Sequence, residues 1–257
     1  MDSKSYYALD RPLFNKRSVY PEGFAPEAYV ISYAVKVSNT DKVLLNLGCA
    51  WGKYSDQLVS GYSKIYNIDE NTSVLENFVD KTRTIPNIYC SLNNPRELSF
   101  YDGFFDVIMS QRGPLFDDDD NFKEAVRVLK PGGTLIATIT GEKDLLELKQ
   151  SFDRGTNFYE DYYIEDIETR LKRYNHDLGN PLEIKIFRHL DYKEYFKDYQ
   201  SLVDLLKSFY IIPDFDSNNA DDQEKLKEYI KTHFIDNEVL LNRHVIFLVA
   251  VKKDKNG

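Results

Sequence analysis

In the stretch Val43-Leu44-Leu45-Asn46-Leu47-Gly48-Cys49-Ala50-Trp51-Gly52-Lys53-Tyr54 an apolar run passes into a glycine-punctuated turn and then into a segment that reads as a helix. Such a corner can cradle a nucleotide. Gly48 removes a side chain where backbone must approach a ligand, and Gly52 lets the next helix begin close to the strand with its free N–H groups directed at the ligand. Asp69 ends a second apolar segment, Ile65-Tyr66-Asn67-Ile68-Asp69-Glu70, 21 positions after Gly48. A strand-end carboxylate at that offset can accept both hydroxyls of a bound ribose. Taken singly, each feature has a plainer reading, the glycines as a tight turn and Asp69 as the cap of a helix starting near Thr72. Taken together they favour a ribose-bearing ligand.

The elements that must position these residues follow from the hydrophobic pattern. Strands are expected over 43–47, 64–68, 88–92, 105–110 and 134–139, with helices over 52–59, 73–82 and 121–129 between them. Repeated strand-helix order predicts a doubly wound α/β fold, with a parallel sheet covered on both faces and the ligand at the carboxyl ends of the strands. An apolar helix over 28–37 precedes the first strand. Beyond Gly141 the pattern predicts amphipathic helices over 142–153 and 161–177, a strand over 182–187, a helix over 199–209, a polar connector over 214–222 expected to be mobile, and a last strand over 244–251. The acidic run 117–120 is expected to cap the following helix at its positive end rather than to bind a metal.

Composition removes several classes of function. With 257 residues and 42% hydrophobic content the chain can bury a sizeable core. No apolar run approaches the roughly 18–20 residues that span a bilayer. The start Met1-Asp2-Ser3-Lys4-Ser5-Tyr6 lacks a basic flank followed by an apolar stretch, so a cytoplasmic protein with no membrane partner is expected. Cys49 and Cys90 are the only cysteines, too few for a disulfide framework and without the spacing of a zinc site, and no metal is expected. A net charge of -9 opposes sequence-independent attraction to nucleic acid.

Two further segments narrow the ligand. Glu97-Leu98-Ser99-Phe100-Tyr101-Asp102-Gly103-Phe104-Phe105-Asp106-Val107-Ile108 is a turn feeding the fourth strand, and Leu129-Lys130-Pro131-Gly132-Gly133-Thr134-Leu135 is a helix stop, a Gly-Gly turn and the fifth strand. With the glycine corner and Asp69 these resemble, in order and spacing from about 43 to 141, the class I S-adenosyl-L-methionine-dependent methyltransferases. The resemblance implies a Rossmann-like, mostly parallel seven-stranded sheet with an antiparallel last strand and a helical cap or lid. It also implies a single methyltransferase domain over 1–257, made of a cap (1–40), a cofactor-binding core (41–141), substrate-side helices (142–240) and a closing strand (241–253). Gly48, Cys49, Ala50 and Gly52 would surround the methionine part of the cofactor, Asp69 would hold the ribose, Glu70 would flank the adenine, and Asn94 would accept from the adenine amino group. Gln111 would lie beside the sulfonium. Asn46 stands where the family usually carries an acid that indirectly fixes the methionine ammonium, and Ala50-Trp51 replaces a Gly followed by a small residue. Ser110-Gln111-Arg112-Gly113-Pro114 and the segments 199–215 and 243–248 are similar to a group of poorly characterised bacterial methyltransferases.

Methyl transfer is an in-line displacement that depends mainly on holding the acceptor about 3 Å from the methyl carbon and excluding water, so no catalytic residue is assigned. On the substrate side Arg112 can clamp a carboxylate or phosphate or pair with the acidic run; a structural role is expected for each of His176, His189, His233 and His244, and His189, at the end of an expected strand, is the best placed of the four for a base. An Asn/Asp-Pro-Pro-Tyr element is absent after the fourth strand, which disfavours adenine and glutamine acceptors. Neither cysteine sits where the nucleophile of a cytosine ring-carbon methyltransferase would. A small-molecule acceptor comes first, supported by an aromatic content of 14%. An RNA acceptor comes second, and a nicotinamide-dependent oxidoreductase or a non-catalytic cofactor-binding protein follows.

Overall fold

The computed structural model describes residues 15–21, 23–50, 55–152, 166–209 and 211–254. Residues 1–14 and 22 of the expected cap, residues 51–54 of the glycine corner, and residues 153 and 161–165 of the expected helices lie outside the described residues. The strands are β1 (Lys16–Val19), β2 (Asn39–Leu47), β3 (Tyr62–Asp69), β4 (Ile88–Leu92), β5 (Phe105–Gln111), β6 (Leu129–Thr140), β7 (Leu182–Phe196), β8 (Phe234–Ile235) and β9 (Glu238–Lys252). The α-helices are α1 (Pro26–Lys36), α2 (Ser55–Leu58), α3 (Thr72–Thr82), α4 (Asp119–Val128), α5 (Leu146–Gln150), α6 (Ile167–Asp177), α7 (Tyr199–Phe209) and α8 (Ala220–Thr232). The chain divides into two units, one of residues 25–140, 168–189 and 246–257, the other of 1–24, 141–167 and 190–245.

The first unit holds the strand order β7-β9-β6-β5-β2-β3-β4, the seven strands expected from the sequence, mostly parallel with an antiparallel last strand. Parallel register sets Leu45 against Tyr66 on one side and Ile108 on the other, and Asn46 against Asn67 and Met109. Leu44, Leu45, Leu47, Ile65, Ile68, Val107, Ile108, Leu135, Ile136 and Ala137 are all essentially inaccessible. Strands covered on both faces have no solvent side to mark by alternation, which is why they read as continuous apolar runs. Helix α1, opened by Pro26, packs on β5 and β6. In α4 the Asp118 carboxylate accepts the N–H of Asp120 at 2.8 Å, the capping role expected of the acidic run. From the same helix Arg127 donates to the carbonyls of Phe100 and Leu98 at 2.7 and 2.9 Å, and Glu124 accepts the N–H of Leu98 at 2.8 Å, so α4 fixes the loop before β5.

The second unit adds two short strands the sequence did not announce. β1 pairs antiparallel with the end of β7, Lys16 opposite Phe196 and Val19 opposite Lys193. β8 forms a hairpin with β9 through Asp236 and Asn237, whose φ of 51° and 65° suit a tight two-residue turn. Its core gathers Leu145, Leu148, Phe152, Phe196, Leu202, Leu206, Leu226 and Leu241. Three expectations change. The helix expected over 142–153 is shortened to α5 because Leu145 adopts a left-handed φ of 57°. The strand expected to stop near 187 runs on to Phe196, with Leu190, Tyr192, Glu194 and Phe196 buried in alternation, a period-2 pattern that continues past the charged residues. The connector 214–222 is pinned rather than bare of anchors: Asp222, 1% exposed, accepts the N–H of Asp216 at 2.8 Å, and Asn219 caps α8.

Buried in this unit, Lys149 donates its Nζ to the Asp144 carbonyl, and burial holds its pKa down to about 8 against the pull of Asp144. The unfolded chain, with an ordinary lysine near pKa ~10.4, binds more protons across that window, so stability rises as pH is raised from about 8 to about 10, by about 3 kcal/mol from this group. Chemical denaturation at pH 7.5 and pH 10 should display that rise, and Lys149→Met should flatten it. An equal rise in the variant would assign the slope to other groups.

Candidate functional site

At the carboxyl end of β2 the chain turns at Gly48, where φ is +70°. The N–H groups of Gly48 and Cys49 both donate to the Ile68 carbonyl at 3.0 Å, and Ala50 N–H donates to Asp69 Oδ2 at 3.0 Å, so the end of β3 holds the turn. A Cβ on Gly48 would lie 2.5 Å from Pro114 Cδ and 3.1 Å from Gly113 Cα; only glycine allows this approach of the segment after β5. Ala50 also has a left-handed φ, of 46°. Where the resemblance leads one to expect glycine, this chain therefore keeps the conformation and carries the strain of a Cβ in it, about 1–2 kcal/mol.

Asp69 accepts from Asn71 N–H at 3.0 Å through Oδ1 as well as from Ala50 through Oδ2. Burial pushes its pKa up, while the N–H groups of Ala50, Asn71 and Glu70 pull it back. Asp69 is half-buried, and with about four lone-pair sites on its two carboxylate oxygens it retains acceptor capacity for a hydroxyl. Cys49 is buried beside it; burial, then the charge of Asp69, drives the thiol pKa well above its ordinary value, so it remains a protonated, non-nucleophilic side chain.

Behind the turn lies a polar cluster. Asn46, on β2, donates Nδ2 to Asn67 Oδ1 at 2.9 Å, and Ser55, the first residue of α2, donates Oγ to the same oxygen at 2.6 Å. Asn67 and Ser55 are fully buried and Asn46 is 6% exposed. Neither Asn67 nor Ser55 stood out in the sequence. An Asn in a strand reads as a solvent-facing polar residue, and only the β2–β3 register reveals that it meets Asn46.

The other anticipated residues fall around this turn. Asn93 N–H donates to the Asp69 carbonyl at 3.1 Å, bringing the Asn93-Asn94 segment to the end of β3, with Asn94 and Glu70 both exposed. Asn94 Oδ1 already accepts the N–H of Arg96 at 3.0 Å. Gln111, half-buried at the end of β5, donates Nε2 to Met109 Sδ at 3.8 Å. Arg112 follows with a left-handed φ of 49°, its N–H bonded to the Thr138 carbonyl at 2.8 Å. Its guanidinium lies 3.8 Å from Glu27 of α1 rather than on the acidic run. That run is engaged elsewhere, Asp118 with Arg96, Asp119 with Arg173 and Asp120 with Lys123. His189 is exposed in the middle of β7, its ring edge-on to Phe187, and not at a strand end as expected. Of the other histidines, His176 is exposed beside Asp177, His233 stacks on Tyr229 at 4.0 Å, and buried His244 covers Gly141 and accepts the Lys143 N–H at 3.2 Å.

A turn opened by Gly48, a strand-end carboxylate with acceptor sites left and a buried amide beneath them fit an adenosyl group carrying a zwitterionic amino-acid tail. Residues 45–137 match the family described as Methyltransferase domain. No curated protein sequence matches the chain. Among solved structures, a putative methyltransferase from Bacillus halodurans C-125 aligns at 13% identity and a TM-score of 0.63, over 88% of this chain and 98% of its own. Geranyl diphosphate C-methyltransferase from Streptomyces coelicolor A3(2), in complex with Mg2+, geranyl diphosphate and S-adenosyl-L-homocysteine, aligns at 13% identity and 0.53, over 88% and 76%. The cyclase SpnF aligns at 17% identity and 0.55, over 88% and 80%. At these identities the likeness is one of fold.

Proposed function

We propose, from the premise that residues 45–137 are a class I S-adenosylmethionine-dependent methyltransferase domain, that this chain methylates a small-molecule acceptor. The observation that carries the reading is the tie between Asp69 at the end of β3 and the Gly48-Cys49-Ala50 turn at the end of β2, a strand-end acid held against a glycine-opened corner. When bound, S-adenosylmethionine supplies a methyl group activated by its sulfonium. Asp69 accepts the ribose hydroxyls. Gly48, Cys49 and Ala50 line the methionyl side, with Asn46 offering a neutral acceptor to the ammonium; Gly52, expected there from the sequence, lies outside the described residues. Glu70 and Asn94 flank the adenine.

On the acceptor side, Gln111 and Arg112 follow β5, where the backbone strain at Arg112 marks a residue held in an unfavourable conformation, as functional residues often are. Paired with Glu27, the Arg112 guanidinium can orient an anionic group of the acceptor. An acceptor of this kind is the counterpart of the geranyl diphosphate bound by one of the fold's neighbours. His189 serves as a candidate base from β7. The net charge of -9 weighs against RNA, and no described helix is long and apolar enough to cross a membrane.

Replacing Asp69 by Ala should weaken S-adenosylhomocysteine binding by about 1–3 kcal/mol, the scale of hydrogen bonds to a charged group. Unchanged affinity in calorimetry removes Asp69 from the ribose role. The acceptor class is tested by incubating the protein and labelled S-adenosylmethionine with a cell extract and separating RNA, protein and metabolites. Label is expected in the metabolite fraction; label chiefly in RNA makes the RNA reading the correct one.

A further inference from the structure

The Asn67 side chain is half used. Its carbonyl oxygen takes two donors, Asn46 Nδ2 at 2.9 Å and Ser55 Oγ at 2.6 Å, which fills both of its lone pairs. Its Nδ2, with two N–H donors, is buried and has no hydrogen-bond partner among the described residues. Buried amide nitrogens without an acceptor are rare in folded proteins, and one fixed in place by two other hydrogen bonds is a donor site awaiting a group. The position narrows what that group is. Asn46 lies two residues before Gly48 and Ser55 opens the helix after the turn, so Asn67 sits under both stems of the glycine corner. Asn67 and Asp69 share one face of β3, since side chains two apart on a strand point the same way. A donor there cannot serve an ammonium, and the ribose hydroxyls belong to Asp69 one pleat further on. The acceptor left for it on the methionyl side is a carboxylate.

Resting on the cofactor assignment above, we infer that Asn67 is a cofactor-binding residue whose Nδ2 donates to the carboxylate of the cofactor's amino-acid tail. The tail is then read by two neutral amides from adjacent strands, Asn67 as donor to its carboxylate and Asn46 as acceptor for its ammonium. This arrangement dispenses with the acid that the resemblance leads one to expect at Asn46, because a carboxylate at that position would sit beside the tail's own negative end.

The test separates the two halves of the ligand. S-adenosylhomocysteine carries the amino-acid tail, and 5′-deoxy-5′-methylthioadenosine has the same thioether and adenosine without it. Both are titrated calorimetrically into the wild type, Asn67→Asp, Asn67→Ser and Asp69→Ala. Asn67→Asp keeps the shape and the acceptor for Asn46 and Ser55, removes the donor and adds an ionisable group; Asn67→Ser removes the donor amide without adding charge and separates loss of the donor from repulsion. Each Asn67 variant that melts cooperatively should bind S-adenosylhomocysteine about tenfold or more weakly, the loss of a hydrogen bond to a charged group. Its affinity for methylthioadenosine should stay within about twofold, while Asp69→Ala weakens both. Equal loss for both ligands in the Asn67 variants, or no loss for either, overturns the inference and leaves Asn67 a structural residue with the cofactor assignment intact. Failure of the wild type to bind either ligand overturns the cofactor assignment itself, and the inference with it.

Discussion

Replacing Arg243 by Met should lower the unfolding free energy by about 3–5 kcal/mol, the cost of leaving buried charge without its partner. The guanidinium donates to both oxygens of Asp144, at 2.8 and 3.1 Å, and to Glu194, whose other oxygen takes Lys16. The side chains of Arg243, Asp144 and Glu194 are only 10%, 5% and 4% exposed. Removing the cation that bridges these two buried acids leaves Glu194 with Lys16 alone and lets the acids repel each other in a medium that screens poorly. The pH dependence identifies the mechanism. Burial raises the pKa of Glu194, but Arg243 and Lys16 outweigh it and hold the pKa below its ordinary value, so the stability this group contributes is present above about pH 4.3 and is lost as pH falls through the depressed value. Without Arg243 only Lys16 opposes the burial effect, the pKa of Glu194 rises, and the penalty of the variant shrinks toward acid pH. Urea denaturation at pH 7 and pH 4.5 should give a larger difference between the two proteins at pH 7. A difference of under 1 kcal/mol at pH 7 would mean that packing, not charge, is what Arg243 supplies.

Gly48→Ala should be the most damaging single-methyl change in the cofactor half. Its Cβ would sit 2.5 Å from Pro114 Cδ, an atom of a ring that cannot swing aside, at a φ of +70°. Overpacking of this kind costs about 1–3 kcal/mol and the left-handed conformation about 1–2 kcal/mol more. The turn or the Gly113-Pro114 segment has to shift, which separates Ala50 N–H from Asp69 and weakens nucleotide binding. Gly132→Ala is the matched control: its φ is +72° but its nearest neighbour, Asp254 Oδ1, is 3.9 Å away, so it carries the conformational cost alone. Thermal melts and S-adenosylhomocysteine titrations of both variants should place Gly48→Ala well below Gly132→Ala in stability and affinity. Equal behaviour would show that close approach at Gly48 is not what the corner requires.

Much of the cofactor half was legible in the sequence because its determinants are local. Apolar runs bounded by turn residues marked β2 to β6, and Asp118 before an amphipathic segment marked the start of α4. The place of Asp69 at the end of β3 was legible from the apolar run before it. What escaped is non-local. The Asn46–Asn67 pair depends on strand register across 21 positions, and the Glu27–Arg112 contact on how α1 lies along β5. The continuation of β7 was hidden by charge: Lys193 and Glu194 read as a solvated face, yet Glu194 is buried because Arg243 and Lys16 neutralise it. Leu145 carries no mark of its left-handed conformation, so the shortened α5 could not be read from periodicity. In the connector, the run of Asp and Asn signalled solvent, while in the fold those same side chains cap α8 and bond the preceding backbone.

A glycine corner and a strand-end acid are shared by adenosyl and nicotinamide sites, and calorimetric titration of the wild-type protein with S-adenosylhomocysteine and, separately, with NAD tests the choice between them. Saturable one-to-one binding of S-adenosylhomocysteine, with NAD at least tenfold weaker, is the predicted result. Tighter binding of NAD, or no heat with S-adenosylhomocysteine, would contradict it.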